Sequence, residues 1–242
     1  MRIIEFHHDP DYPLQSNIDR WIGDHPGWVS RKIPVYQGVD YPDSGQFDLL
    51  LLHGGAQHLW DRDSDPWLDE EVEFVRRLIR EAKPVIGFCL GSQIIVAALG
   101  GKIYPAVAGE IGWYRVRLHP AGREHPVLKG ISGDFTSFMW HFDHYELPES
   151  LISLGYTALA PHQIVAGREL PVVGFQFHPE YTKENIREYA LNCYEDEWAG
   201  TENLPPKPDF LADLEQLPET YPLFQGLAEN SWEWMQQYRK RP

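Results

Sequence analysis

Cys89 stands at the centre of Gly87-Phe88-Cys89-Leu90-Gly91, directly after Lys83-Pro84-Val85-Ile86 and shortly before the apolar run 94–99. A cysteine flanked by glycines between a strand-like and a helix-like segment has the form of a nucleophile elbow. The glycines let the chain turn sharply, and the new helix points its free amides at the central side chain. That positive helix end, with an imidazole nearby, would favour the thiolate. A packing cysteine among small residues fits the pattern as well, so the rest of the chemistry has to come from elsewhere. His178-Pro179-Glu180 follows the apolar run Pro171–Phe177, so both polar side chains emerge where a strand ends, the place at which open α/β sheets put their sites. A thiol nucleophile needs a base that holds its proton and delivers it to a leaving nitrogen, and the base needs an orienting acid. His178 and Glu180 carry those groups; the plainer reading is a surface histidine beside a helix-capping glutamate.

His53-Gly54-Gly55 closes the run 47–52. Consecutive glycines after a strand let a backbone amide face a pocket, and a tetrahedral intermediate needs two such donors, assigned here to Gly55 and Leu90 with Gly54 beside the substrate. A simple strand-to-loop turn is the alternative. Gln93 lies one helical turn after Cys89 on nearly the same face, where it can hydrogen-bond a substrate or serve as an ordinary polar residue of a first turn.

The elements that must position these groups are short apolar runs (3–6, 32–36, 47–52 and 83–88) separated by polar or amphipathic stretches, as in buried parallel strands alternating with helices. Leu68, Val72, Val75 and Ile79 recur at helical spacing, with Asp65 as cap, Pro66 in the first turn and Pro84 beyond the end. After Gly101 the pieces 113–118, 135–140, 151–159, 163–167 and 171–177 extend or flank the sheet. A helix over 182–198 places Ile186, Tyr189, Ala190 and Cys193 on one face, with Cys193 in the core. The proline-rich stretch 201–210 links to an aromatic, acidic end. Its expected form is a helical pair packed on the domain, with a partner surface presenting Trp232 and Trp234 as the alternative.

Together these motifs resemble the class I glutamine amidotransferases. The matching segments are PVIGFCLGSQ, GEIGW, MWHFDHYELP and GFQFHPE, in the family's order, over roughly residues 1 to 195. The resemblance is to stand-alone members similar to the amidotransferase domain of GMP synthase. It implies an α/β, flavodoxin-like open, mostly parallel sheet flanked by helices, with additional antiparallel strands. It also implies a Cys89-His178-Glu180 triad, attack of Cys89 on the carboxamide of glutamine or another γ-glutamyl compound, and a thioester that water releases as glutamate. Gln93 and the segment Trp140, His141, Phe142, Asp143 would hold the amino acid end. Relatives often carry Trp-His-Gly-Asp there; Phe142 puts one of the largest side chains where they have the smallest, which raises the question of whether its ring enters the pocket.

The domain expected is 1–195, with 196–242 as a C-terminal extension of about 45 residues, below the usual size of a domain. A separate synthase subunit accepting ammonia is one expected partner; hydrolysis of γ-glutamyl amides or peptides is the alternative, and a binding subunit with a retained triad is another. A cysteine-bearing α/β-hydrolase would usually place an acid between nucleophile and histidine, whereas Glu180 follows His178. A net charge of −15 disfavours nucleic acid and anionic membrane surfaces, and no apolar run reaches the roughly 20 residues of a membrane span, so the cytoplasm is the expected compartment. Two cysteines are too few for a disulfide framework in 242 residues. His7-His8-Asp9 and His141-Phe142-Asp143-His144 lack a recognised ligand spacing, and the chemistry needs no metal or organic cofactor.

Overall fold

The computed structural model describes residues 1–10, 15–131, 133–198 and 207–239. The first half runs β1 (Arg2–His7), α1 (Asn17–Gly23), β2 (Val29–Pro34), β3 (Leu49–Leu52), α2 (Trp67–Arg80), β4 (Val85–Phe88) and α3 (Leu90–Ala98). The second runs β5 (Lys102–Leu118), α4 (Pro120–Glu124), β6 (Phe135–Glu146), β7 (Leu151–Tyr156), β8 (Ile164–Gly167), β9 (Val172–Phe175), α5 (Lys183–Trp198), α6 (Lys207–Gln216) and α7 (Tyr221–Arg239). The sheet order is β2-β1-β3-β4-β9-β8-β7-β5-β6. Strands β2, β1, β3, β4 and β9 pair in parallel, and the remainder pair antiparallel. This is the α/β open sheet with added antiparallel strands that the sequence implies.

β3, β4, β8 and β9 are buried at every position, which explains why they read as continuous apolar runs rather than alternating ones. One core lies under α2 and α3, where Leu68, Val72, Val75 and Ile79 meet Ile94, Ile95 and Val96. The other lies on the opposite face, built from Trp21, Phe88, Phe175 and Phe177. α2 begins after Pro66 with no side-chain cap, so the expected Asp65 cap is not made. Asp65 Oδ1 instead accepts from the Trp67 indole at 3.1 Å, a side-chain partner close enough to compete with the backbone amides.

Helix α7 contributes Tyr221, Phe224, Leu227, Ala228 and Met235 to the second core, with Phe224 edge-on to Trp21 at 6.1 Å. Trp232 and Trp234 are partly buried against the same cluster, Trp232 near Trp28 and Trp234 near His125. Helix α6 buries Phe210 and Leu214 with Phe138, Trp140 and Tyr181. Ile186 and Ala190 of α5 are fully buried there too, while the side chain of Cys193 and residues 199–206 of the link lie outside the described residues. Among the described residues no helix is long and apolar enough to cross a membrane.

Truncating Phe224, which is 1% exposed, removes a ring that joins α7 to Trp21 and Phe88. Phe224→Ala should lower the unfolding free energy by about 3–5 kcal/mol in urea denaturation; a loss below about 1 kcal/mol would show that the helix contributes little to the cooperative core.

Candidate active site

The turn from β4 into α3 is made possible by two missing side chains. A Cβ on Gly87 would lie 2.4 Å from the backbone of Gly91, and a Cβ on Gly91 would lie 2.3 Å from the Leu52 carbonyl oxygen of β3. Helix α3 therefore starts in backbone contact with both strands. Between the glycines Cys89 takes φ 47° and ψ −109°, a conformation that L residues rarely adopt. It is held there from both sides. Its N–H donates to Phe175 O at 2.8 Å, while its carbonyl accepts from the amides of Ser92 and Gln93 and from Ser92 Oγ. The Gly91 amide donates to His53 O at 3.1 Å, which ties the end of β3 to the same turn.

His178 is brought to the cysteine by β6 and by the end of β9. Its amide donates to Phe138 O at 2.9 Å, and its Nδ1 lies 2.8 Å from Glu180 Oε1. The imidazole is buried beside the Cys89 sulfur. Burial opposes its positive charge, but the Glu180 carboxylate and the Cys89 sulfur outweigh that and push its pKa up to about 10. The sulfur also donates to Trp140 O at 3.5 Å and accepts from Gln176 Nε2 at 3.7 Å. Cys89, His178 and Glu180 thus form one contact line.

The chain's other half secures this arrangement. Asn17, at the start of α1, donates its backbone N–H to Glu180 O at 2.8 Å and its side-chain amide to Pro179 O, Tyr181 O and Thr220 Oγ1. Thr220, just before α7, donates to Tyr181 O at 2.7 Å.

A cavity of about 400 Å³ opens over Cys89, lined by Gly55, Gln93, Trp140, His141, Phe142, Asp143 and His178 among others. Gln93 is 3% exposed and its Oε1 has no hydrogen-bond partner among the described residues, so it is available to a ligand. Gly55 packs under Leu90, whose Cδ2 would be 2.9 Å from a Cβ at that position. Leu90 opens α3, so its N–H is among those with no intrahelical acceptor. Gly54 offers its carbonyl to His8 Nδ1 at 3.2 Å and does not line the cavity. Phe142 lines the wall, its ring against Gly109 of β5, where a Cβ would meet it at 2.5 Å. His141 turns its Nε2 to Glu110 at 3.0 Å and to Gln163 at 3.3 Å. Asp143 accepts from Trp60 Nε1 at 2.8 Å and meets His58 Nδ1 at 2.7 Å, so each carboxylate oxygen already has a protein partner.

Gln57, His58, Trp60, Gln176, Tyr181 and Tyr189 also belong to the site or touch Cys89, and the sequence reading missed them. Position was the available signal: His58 and Trp60 follow His53-Gly54-Gly55 at a strand's carboxyl end, and Tyr181 follows Glu180. Nothing local marks Asn17.

Other buried histidines pair with carboxylates. His8 meets Glu71 at 2.9 Å with both side chains fully buried; burial opposes its charge, yet Glu71 raises its pKa. His53 meets Glu5 at 3.0 Å, and burial holds His53 down to about 3 against the opposing effect of Glu180. Glu5, His7 and His53 are the one group among the described residues whose ligand atoms lie within 4.8 Å of one another. Within it Glu5 Oε2 lies 3.0 Å from His53 Nε2 and 4.0 Å from His7 Nε2.

A mixed α/β sheet with a cysteine elbow at the carboxyl end of β4 and a His-x-Glu pair beyond neighbouring β9 defines a class of α/β proteins built around a cysteine beside a histidine–carboxylate pair. Residues 32–194 match the family Glutamine amidotransferase class-I, and the chain belongs to it. The chain is 33% identical over 171 residues to the glutamine amidotransferase-like protein YfeJ of Salmonella typhimurium, covering 69% of this chain and 71% of that one. It is 35% identical over 108 residues to the glutamine-hydrolysing GMP synthase of Aquifex aeolicus, covering 44% of this chain but only 21% of the synthase. Among solved structures, a glutamine amidotransferase of Thermotoga maritima superposes with a TM-score of 0.81 at 22% identity over 97% of each chain, a likeness of fold.

His178 has a folded pKa of about 10, above the ordinary 6.5. A raised basic group contributes stability in full below the unfolded value and loses it as pH climbs through the folded value. The unfolding free energy of the wild type relative to His178→Asn should therefore be most favourable below about pH 6.5 and decline toward pH 10; a difference that is flat with pH would contradict the raised value.

Proposed function

We propose that this chain hydrolyses the γ-carboxamide of glutamine, releasing glutamate and ammonia. The observation that carries the reading is the buried line of Cys89, His178 and Glu180 opening on a cavity that also holds Gln93, whose Oε1 has no partner among the described residues. The Cys89 sulfur attacks the carboxamide carbon, and the developing oxyanion faces the amides of Gly55 and Leu90. His178 gives its proton to the departing nitrogen, then takes one from the water that attacks the thioester. Glu180 fixes the imidazole at Nδ1 and stabilises its charge. Gln93 and the Trp140–Asp143 backbone receive the amino acid end, with the Gly54 carbonyl shaping the loop behind Gly55.

Released ammonia passes to a separate synthase subunit in this reading. Family membership supports amide hydrolysis in general; the acceptor is inferred from the relatives that are glutamine-hydrolysing synthases.

Glutamate release from glutamine by the purified chain tests the assignment. Cys89→Ala should abolish it, and His178→Asn should reduce kcat by about 10²–10⁴-fold. Activity that survives in Cys89→Ala would remove the thiol from the mechanism.

A further inference from the structure

We propose that the leaving-group side of this site also accepts a neutral aromatic or apolar primary amine, so that alongside glutamine it hydrolyses N-substituted γ-glutamyl amides, and these in preference. The inference rests on the hydrolytic reading of Cys89 and His178 given above.

The direction of the leaving group follows from the geometry of attack. With the carbonyl carbon over the Cys89 sulfur and its oxygen toward Gly55 and Leu90, the nitrogen has to face His178 to receive its proton. Beyond His178 the cavity wall is a continuous run of rings. Tyr181 stacks on His178 at 4.4 Å between centroids, Tyr189 lies 6.1 Å from Tyr181, and Trp140 meets Tyr189 edge-on at 4.8 Å. All of these line the cavity. A flat or apolar substituent on that nitrogen packs against the parts of these rings that border the cavity, in the offset and edge-on geometries aromatic groups favour.

Size and charge point the same way. The volume of about 400 Å³ falls within the range of roughly 300–1,000 Å³ that pockets for larger organic ligands occupy. Among the described residues no lysine or arginine lines the cavity, and both oxygens of Asp143 are engaged by His58 and Trp60. An amine bearing its own carboxylate, as in a γ-glutamyl dipeptide, would find no cationic partner beside the rings. A neutral substituent needs none.

The reaction balances as for glutamine. The carbon–sulfur bond forms as the carbon–nitrogen bond breaks, and the His178 proton leaves on the amine. Water then adds to the thioester, one of its protons returning to His178 and the sulfur departing with the carbon–sulfur electron pair. The sum is γ-glutamyl amide plus water giving glutamate plus amine.

The test compares glutamate release by the whole chain from glutamine, γ-glutamylmethylamide, γ-glutamylbenzylamide and γ-glutamylphenylalanine, with Cys89→Ala as control. Benzylamine and ammonia have comparable basicity, so a preference between their amides reports the ring. The expected kcat/KM for the benzylamide exceeds that for glutamine and the methylamide by about tenfold or more. Tyr189→Ala should shrink that ratio several-fold and Tyr189→Phe, which keeps the ring, should preserve it. Cys89-dependent hydrolysis of glutamine at least as fast as of the benzylamide would overturn the inference and leave the hydrolytic reading standing. Faster cleavage of γ-glutamylphenylalanine than of the benzylamide would overturn the restriction to neutral amines. Absence of Cys89-dependent release from all four would overturn both.

Discussion

At Gly87 and Gly91 the start of α3 meets β3 and β4 backbone to backbone, at distances no side chain could occupy. That contact governs the geometry around it. It fixes the direction in which the helix's first amides point, and it forces the residue between the glycines into a positive φ that costs about 1–3 kcal/mol and persists only where its surroundings over-determine it. Here the amide and carbonyl of Cys89 are both bonded, and Gly174 repeats the device from β9, where a Cβ would lie 2.9 Å from Ser92. The two strand ends that carry the thiol and the imidazole are thus brought together by the closeness of glycine contacts.

The acid–base pair depends on a different kind of restraint. The tripeptide 178–180 is not part of a strand or helix, yet its carbonyls are collected by Asn17 from the amino-terminal region, while Thr220 before α7 binds the next carbonyl. Residues separated by more than 200 positions therefore share the task of holding Glu180 against His178. The extension that ends in α7 is coupled to the site by this hydrogen bond as well as by the apolar surface it buries.

How much of this could be read from the sequence followed the range of the interactions. The elbow and the His-Pro-Glu turn were legible because each is a local pattern whose chemistry is visible within a few residues, and the buried strands were legible because burial on both faces leaves uninterrupted apolar runs. Gln176, Asn17, His58 and Trp60 were not, since each matters through a partner distant in the chain. The expected Asp65 cap failed for a smaller reason, a neighbouring indole N–H competing for the same oxygen. Phe142, conspicuous by its size, proves to pair with Gly109 on the facing strand, so bulk added on one strand coincides with bulk absent from the other.

The fully buried carboxylates opposite histidines, Glu71 with His8 and Glu110 with His141, bear on how such a sequence can drift. Removing one partner of a buried ion pair costs about 3–5 kcal/mol, because the other is left with its charge or polarity uncompensated. A typical domain has only about 5–15 kcal/mol to lose. Positions 8 and 71, or 110 and 141, can therefore exchange for apolar residues only in concert, and the instability of the intermediates holds a lineage near its present pairs, whatever else His141 does in the cavity it lines. Polar identity deep in this fold can be inherited for reasons of mutational access alone.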